Sequence, residues 1–133
     1  MEFQCDPTSR VPIYRQLMDQ VRQAVARGRL RPGVRLPSVR QLSRELVVNP
    51  NTVARAYTEL ERDGVLHTRQ GLGVFVAELQ DDLSSAARRE RFAEAIDRFL
   101  TEAVHLGYSA EEVLAAVTKR IKGFQFAGAA AEN

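Results

Sequence analysis

Apolar side chains at Ile13, Leu17, Val21 and Val25 recur every four residues behind Pro12, whose fixed φ and missing N–H suit the first position of a helix. The spacing predicts a helix from about Pro12 to Arg27. Gly28 stops it, Arg31-Pro32-Gly33 reads as a turn, and a short extended stretch follows around Val34 to Leu36. Pro37 biases Leu36 toward an extended backbone. Ser38 then supplies an N-cap for a second helix of about nine residues, with Val39, Leu42 and Leu46 on one face. Val47-Val48-Asn49-Pro50 interrupts the pattern, and Asn49 can cap a third helix from about Pro50 to Asp63 that buries Val53, Ala56, Tyr57 and Leu60 and ends at Gly64. After it, Val65 to Arg69 and Val74 to Ala77 read as two strands around the turn Gln70-Gly71-Leu72-Gly73.

Beyond Glu78 the pattern changes. Residues 79–84 form a polar hinge, after which Phe92, Ile96, Phe99, Ala103 and Leu106 alternate spacings of four and three, as in a helix that packs on another helix. Leu100 and Val104 widen this seam. Gly107 breaks the helix, Ser109 with Glu112 has the spacing of a capping box, and Val113, Leu114, Val117 and Ile121 mark a last helix of about 12 residues. Two helices do not cover so wide an apolar face between themselves, and a second copy of the chain is the simplest cover.

The expected fold is mainly α with a small β-wing (α+β), an N-terminal winged helix-turn-helix followed by a two-helix dimerisation appendage. The expected divisions are a flexible N-terminus at 1–10, a winged helix at 11–78, a linker at 79–84, a helical dimerisation and effector region at 85–122, and a loose tail at 123–133. An ordinary helical hairpin is the alternative for the second and third helices, and the two strands behind them favour the winged form.

Charge sharpens this division. Of the 133 residues, 44% are hydrophobic and 27% charged, the balance of a folded domain. The formal net charge of +2 conceals an asymmetry. Residues 1–78 hold 12 Arg and no Lys against 8 acids, a net +4, while residues 79–133 carry a net −2. Arg27, Arg29, Arg31, Arg35, Arg40 and Arg44 occur in one stretch without an acid. Such a run is often a solvated face, but Arg used in place of Lys suits bidentate contacts to planar anions, phosphate included.

These features fit double-stranded DNA as partner. The third helix can enter the major groove with Asn51, Thr52 and Arg55 projecting opposite its buried stripe, where Asn pairs with adenine and Arg with guanine edges. Arg35, Ser38 and Arg40 are placed to grip phosphates, and Arg69, Gln70 and Gly71 at the wing tip to reach the adjoining minor groove. Each residue has a plainer role open to it. Asn49 and Ser38 serve as helix caps, Asn51 and Thr52 favour a helix start, and Arg55 has Glu59 one turn along as an ion-pair partner.

Other classes fare worse. His67 and His105 lack short-spaced metal partners, and no nucleophile elbow or phosphate loop is present, so an enzyme is not expected, nor any cofactor or metal. A site built from His105 with Asp97, Glu94 or Glu102 is the remaining enzymatic alternative. A winged-helix adaptor that binds protein calls for an apolar or acidic recognition face, against which Arg55 and Arg69 stand. No stretch approaches the length of a membrane span and no signal peptide is evident, so a cytoplasmic protein without a membrane partner is expected. Cys5, the single cysteine, excludes an intramolecular disulfide and is expected to be a bystander in a frayed terminus.

Several spaced motifs occur in one order. They are Pro12-Ile13-Tyr14 with Gln16-Leu17, Pro32-Gly33 with Leu36 to Leu42, Asn49 to Val53 with Ala56-Tyr57 and Leu60-Glu61, and Gly64-Val65 with Gly71 to Val76. Together they resemble the GntR family of bacterial transcription regulators over about Val11 to Ala77. The short two-helix appendage is similar to that of the YtrA-like subfamily, whose members lack large effector-binding domains. The resemblance implies a homodimeric repressor, dimerised through the C-terminal helices and often acting on transporter operons, and the apolar spacing offers Phe92, Ile96, Phe99, Leu100, Ala103, Leu106, Val113, Val117 and Ile121 for that contact. It implies that Arg40 and Thr52 contact DNA, with Asn49 and Asn51 at the recognition-helix start and Gly71 at the wing tip. Ala54 and Pro50 stand where many other branches carry Arg, so those branches' base-reading scheme does not transfer, and helix geometry offers Arg55 as a substitute. A small-molecule effector, if one acts, belongs at the C-terminal helices or their junction with the winged helix.

Overall fold

A computed structural model describes residues 2–78 and 85–126. They divide into two compact units, the first containing residues 2–78 with 125 and 126, the second residues 85–124. The expected hinge at 79–84 and the tail beyond residue 126 lie outside the described residues.

The first unit is a winged helix. Helix α1 spans Ile13–Ala26, α2 Val39–Leu46 and α3 Pro50–Arg62, followed by strands β1, Leu66–Arg69, and β2, Gly73–Val76. The strands pair antiparallel with Leu66 opposite Val76 and Arg69 opposite Gly73. Arg35 bridges Phe75, adding a one-residue rung to the open edge of β2. The core takes the whole predicted stripe of α3, Val53, Ala56, Tyr57 and Leu60, but only part of the others. Leu17 and Val21 of α1 are joined by the unpredicted Met18 and Ala24, Leu42 stands for α2, and Leu36, Leu66 and Val76 close it, while Ile13, Val25, Val39 and Leu46 pack against it half-buried. Because α3 meets α1, α2 and β1, its apolar face is enclosed and its opposite face is left to solvent.

Two connections fix how α3 is presented. The Tyr57 hydroxyl donates to the Pro37 carbonyl at 2.6 Å, anchoring the turn that starts α2 onto the centre of α3. Burial, and secondarily the Glu45 carboxylate, push the Tyr57 pKa up, so the hydroxyl stays a donor. At the far end of α3, Arg22 pairs with Asp63 at 2.5 Å, joining α1 to the α3 C-cap.

The turn between α2 and α3 carries backbone strain. Val47, the C-cap of α2, has φ 55° and ψ 51°, and its side chain is 89% exposed. A β-branched residue in the left-handed region crowds its own carbonyl at a cost of about 1–2 kcal/mol, and no buried contact offsets it. Val47→Gly is therefore expected to stabilise the chain by about 0.5–1 kcal/mol, after subtracting glycine's larger unfolded-state entropy. Urea denaturation measures it, and a lower midpoint for the glycine variant contradicts it.

The N-terminus departs from expectation. Phe3 is buried in the core cluster, and Cys5 packs against it half-buried. Glutamine side chains of α1 hold the segment in place, Gln20 bonding Gln4 through both its amide atoms and Gln16 bonding the backbone of Asp6 and Val11. Residues 2–10 are thus part of the winged-helix unit rather than a flexible leader, because Phe3 gains a core site that local periodicity does not announce. Burial pushes the Cys5 thiol pKa up, which lowers its reactivity as a nucleophile. The start of the predicted loose tail is also held: Gln125 N–H donates to the Ala26 carbonyl at 2.6 Å.

The second unit contains α4, Ser85–His105, and α5, Ala110–Ile121. The capping box forms as the spacing predicts, with the Ser109 hydroxyl accepting from Glu112 N–H and the Glu112 carboxylate accepting from Ser109 N–H. These bonds hold the Glu112 pKa below its ordinary value. Ala103 is buried and Val113 and Val117 are half-buried. Phe92, Ile96, Phe99, Leu100, Leu106 and Ile121 are exposed on the single chain.

Candidate nucleic-acid interface

Helix α3 presents its N-terminal turn to solvent. Asn49 is the N-cap, its Oδ1 accepting from Asn51 N–H at 2.8 Å, and Pro50 follows as the first helical residue. The cap role is therefore filled, and the Asn49 side-chain NH2 remains a donor pair. Asn51 and Arg55 lie one turn apart on the exposed face, with Thr52 half-buried beside them. The plainer role for Arg55 is not taken up: Glu59 pairs with Arg62 at 3.3 Å instead. The Arg55 guanidinium lies over the Tyr14 ring, 3.8 Å from its centroid.

Helix α2 sets a second group of donors. Ser38 caps it by accepting from Gln41 N–H at 3.0 Å, and Arg40 projects from the first turn into solvent. Ser38 thus has a structural task, while its hydroxyl hydrogen is still available to an acceptor.

The wing brings together residues distant in sequence. Arg69 ends β1, and its guanidinium sits over the Phe75 ring at 5.2 Å. The Arg35 side chain lies across Gly73, where an added Cβ would come within 2.8 Å of its Nε. Gly73 also has φ 127°, so this position needs glycine both for the backbone and for Arg35. Gln70 and Gly71 form the exposed tip, Gly71 with φ 78° in the turn closed by Leu72 N–H and the Arg69 carbonyl. Two arginines thus flank Phe75, one from the chain before α2 and one from β1, and neither belongs to the two ion pairs present among the described residues.

The sequence picked out Arg55 and Arg69 but not the rings beneath them, and Arg35 but not its place across Gly73. Tyr14 falls off the four-residue stripe of α1, and only its place in a family-like motif singled it out. An aromatic that departs from the buried period at a helix start was the available signal.

His67 is exposed on β1 opposite Phe75, and among the described residues no group of three His, Cys, Asp or Glu is placed to hold a metal. His105 turns its Nδ1 to the Thr101 carbonyl at 2.9 Å in the last turn of α4. Asp97, Arg98, Thr101, Glu102 and His105 line one open surface depression. No helix among the described residues is long and apolar enough to cross a membrane.

The model of the family described as "Bacterial regulatory proteins, gntR family" matches residues 13–76, the span from α1 to the end of β2. The repressor YtrA of Bacillus subtilis is 34% identical over 111 residues, covering 84% of this chain and 85% of YtrA. The chain belongs to the GntR family. This GntR regulator is also similar to two solved structures. One is a transcriptional antiterminator from Listeria monocytogenes EGD-e, with TM-score 0.74 and 33% identity over 90% of this chain and 89% of that one. The other is YtrA from Sulfolobus acidocaldarius, a GntR-family transcription factor, with TM-score 0.60 and 32% identity over 74% of this chain and 97% of that one. The likeness to YtrA extends past the winged helix into the second unit, which places the GntR regulator in the YtrA-like subfamily and among DNA-binding transcription regulators rather than enzymes.

Proposed function

We propose that this GntR regulator is a cytoplasmic repressor that acts as a homodimer and sets two winged-helix heads on a two-fold symmetric operator, with half-sites about one helical turn, roughly 10 bp, apart. The observation that carries the reading is the exposed face of α3, where Asn51 and Arg55 stand one turn apart with no acid paired to Arg55. Thr52 and Arg55 complete the major-groove face, while Arg40, Ser38 and Asn49 meet the flanking phosphates and Arg35, Arg69, Gln70 and Gly71 place the wing on the adjoining minor groove. A protein-binding adaptor suits this surface poorly, because Arg55 on α3, Arg40 on α2, and Arg35 and Arg69 at the wing are all exposed. The exposed apolar residues of α4 and α5 are the dimer surface in this reading, and the similarity to YtrA supports repression. A transporter operon is the proposed target, and a small-molecule effector would act through the C-terminal helices by changing the spacing of the heads.

Selection of bound duplex from a random pool tests the whole reading. An inverted repeat with half-site centres about 10 bp apart is expected, with affinity falling steeply as salt rises and condensed counterions are released. A consensus without an inverted repeat, or binding indifferent to ionic strength, contradicts it. Two substitutions then separate grip from reading. Arg40→Ala should weaken selected and unrelated duplexes alike and flatten the salt slope, whereas Arg55→Ala should relax discrimination at one base pair by about 1–3 kcal/mol. An unchanged consensus for Arg55→Ala removes it from the reading set.

A further inference from the structure

The Tyr14 ring lies under the guanidinium of Arg55, 41 residues away in the chain, and nothing in the proposed reading of DNA uses it. The 3.8 Å separation from the ring centroid is that of a guanidinium resting on an aromatic face. Tyr14 is half-buried at the start of α1 and packs against the core, so the ring is a fixed platform, whereas Arg55 is exposed on α3. Stacking engages the flat face of the guanidinium and leaves its N–H edges in the plane, pointing away from the ring. Glu59, the carboxylate one turn along α3, is occupied by Arg62 and does not draw the guanidinium off the ring. A second guanidinium, that of Arg15, lies 6.0 Å from the same ring centroid. Two cations on one aromatic without an intervening acid raise the local positive potential and favour an anion or a guanine edge in front of them.

We infer that Tyr14 is a positioning residue for DNA reading, holding the Arg55 guanidinium edge-on so that its paired N–H groups are set before the duplex arrives. A long arginine side chain loses much rotamer freedom when it docks on a base, and a side chain already stacked loses less. The ring touches no DNA in this account. The sequence-reading face of α3 is thereby coupled to α1, and a change in how α1 seats on α3 alters base discrimination without altering any residue that meets a base. This inference rests on the proposed reading of DNA by Arg55.

The test uses the full-length chain and the duplex it selects from the random pool. In the protein without DNA, the Nε–H proton of Arg55 should show an upfield ring-current shift in its NMR spectrum, kept in Tyr14→Phe and lost in Tyr14→Leu. Against the selected duplex, Tyr14→Leu should weaken binding about two- to five-fold, the factor that an exposed cation–π contact corresponds to. It should leave affinity for an unrelated duplex unchanged, which also serves as the check on folding. Tyr14→Phe should match the wild type, and in an Arg55→Ala background Tyr14→Leu should have no further effect. An Arg55 proton without ring-current shift overturns the inference, as does an equal loss in both backgrounds or a loss in Tyr14→Phe as large as in Tyr14→Leu. Failure of the wild-type chain to prefer any sequence instead overturns the reading of DNA on which the inference rests, and the NMR arm, which needs no DNA, tells the two failures apart.

Discussion

Replacing Phe92 and Phe99 together by glutamate is expected to leave the winged helix folded and to lower operator affinity by about 10²- to 10⁴-fold, the factor gained when a second binding head becomes intramolecular. Phe92 is 68% and Phe99 49% exposed on the single chain, so neither substitution removes a buried core contact within it. Ile96, Leu100, Leu106 and Ile121 are exposed as well, and Phe92, Ile96 and Phe99 recur at helical spacing on α4, more than scattered exposed apolar residues account for. In a dimer these side chains leave water, and a carboxylate in their place would be desolvated without a partner at a cost of several kcal/mol. A chain ending at residue 78 should likewise fold, since residues 2–78 hold the core cluster, and should be monomeric. Sedimentation reports the oligomeric state and a duplex titration the affinity. A full-length chain that is monomeric at micromolar concentration, or a double-glutamate variant that stays dimeric, defeats the assignment.

Leu60→Ala is expected to remove about 2–5 kcal/mol of stability, the range for truncating a fully buried leucine. Leu60 has no exposed surface and lies on the side of α3 that meets the rest of the first unit, and its carbonyl accepts from Val65 N–H at 2.9 Å where the chain enters β1. The cavity would therefore open at the root of both α3 and the wing. Small domains have total stabilities of about 5–15 kcal/mol, so a loss of this size populates the unfolded state at physiological temperature. Thermal and urea melts measure it, and specific DNA binding should fall in parallel with the folded fraction. A loss below about 1 kcal/mol would mean that neighbouring side chains collapse into the space, contrary to the close packing of α1 and α3.

The elements of this GntR regulator were legible because each is signalled within a few residues. The four-residue apolar period marks α1, Ser38 and Asn49 with Pro50 mark the starts of α2 and α3, and Ser109 with Glu112 marks α5; all of these bonds form. The core stripe of α3 and the pairing of the two strands follow from the same local rules. Charge distribution added the sign of the partner, since the arginines of the first 78 residues occur without a matching set of acids.

What the sequence by itself determined is thus which described segments are helix, strand and turn, which face of α3 turns inward, and which arginines remain outside. Tertiary structure alone decided how those arginines are held. Arg55 stacks on Tyr14, Arg35 crosses Gly73, and Arg69 covers Phe75, each joining residues whose spacing carries no period. Phe3 reached the core in the same way, from a segment without a repeating pattern. Periodicity reports the orientation of a side chain relative to its own element, because backbone geometry repeats every 3.6 or 2 residues. The identity of the neighbour across an interface depends on how two elements cross, and that is set by the packing of the whole core.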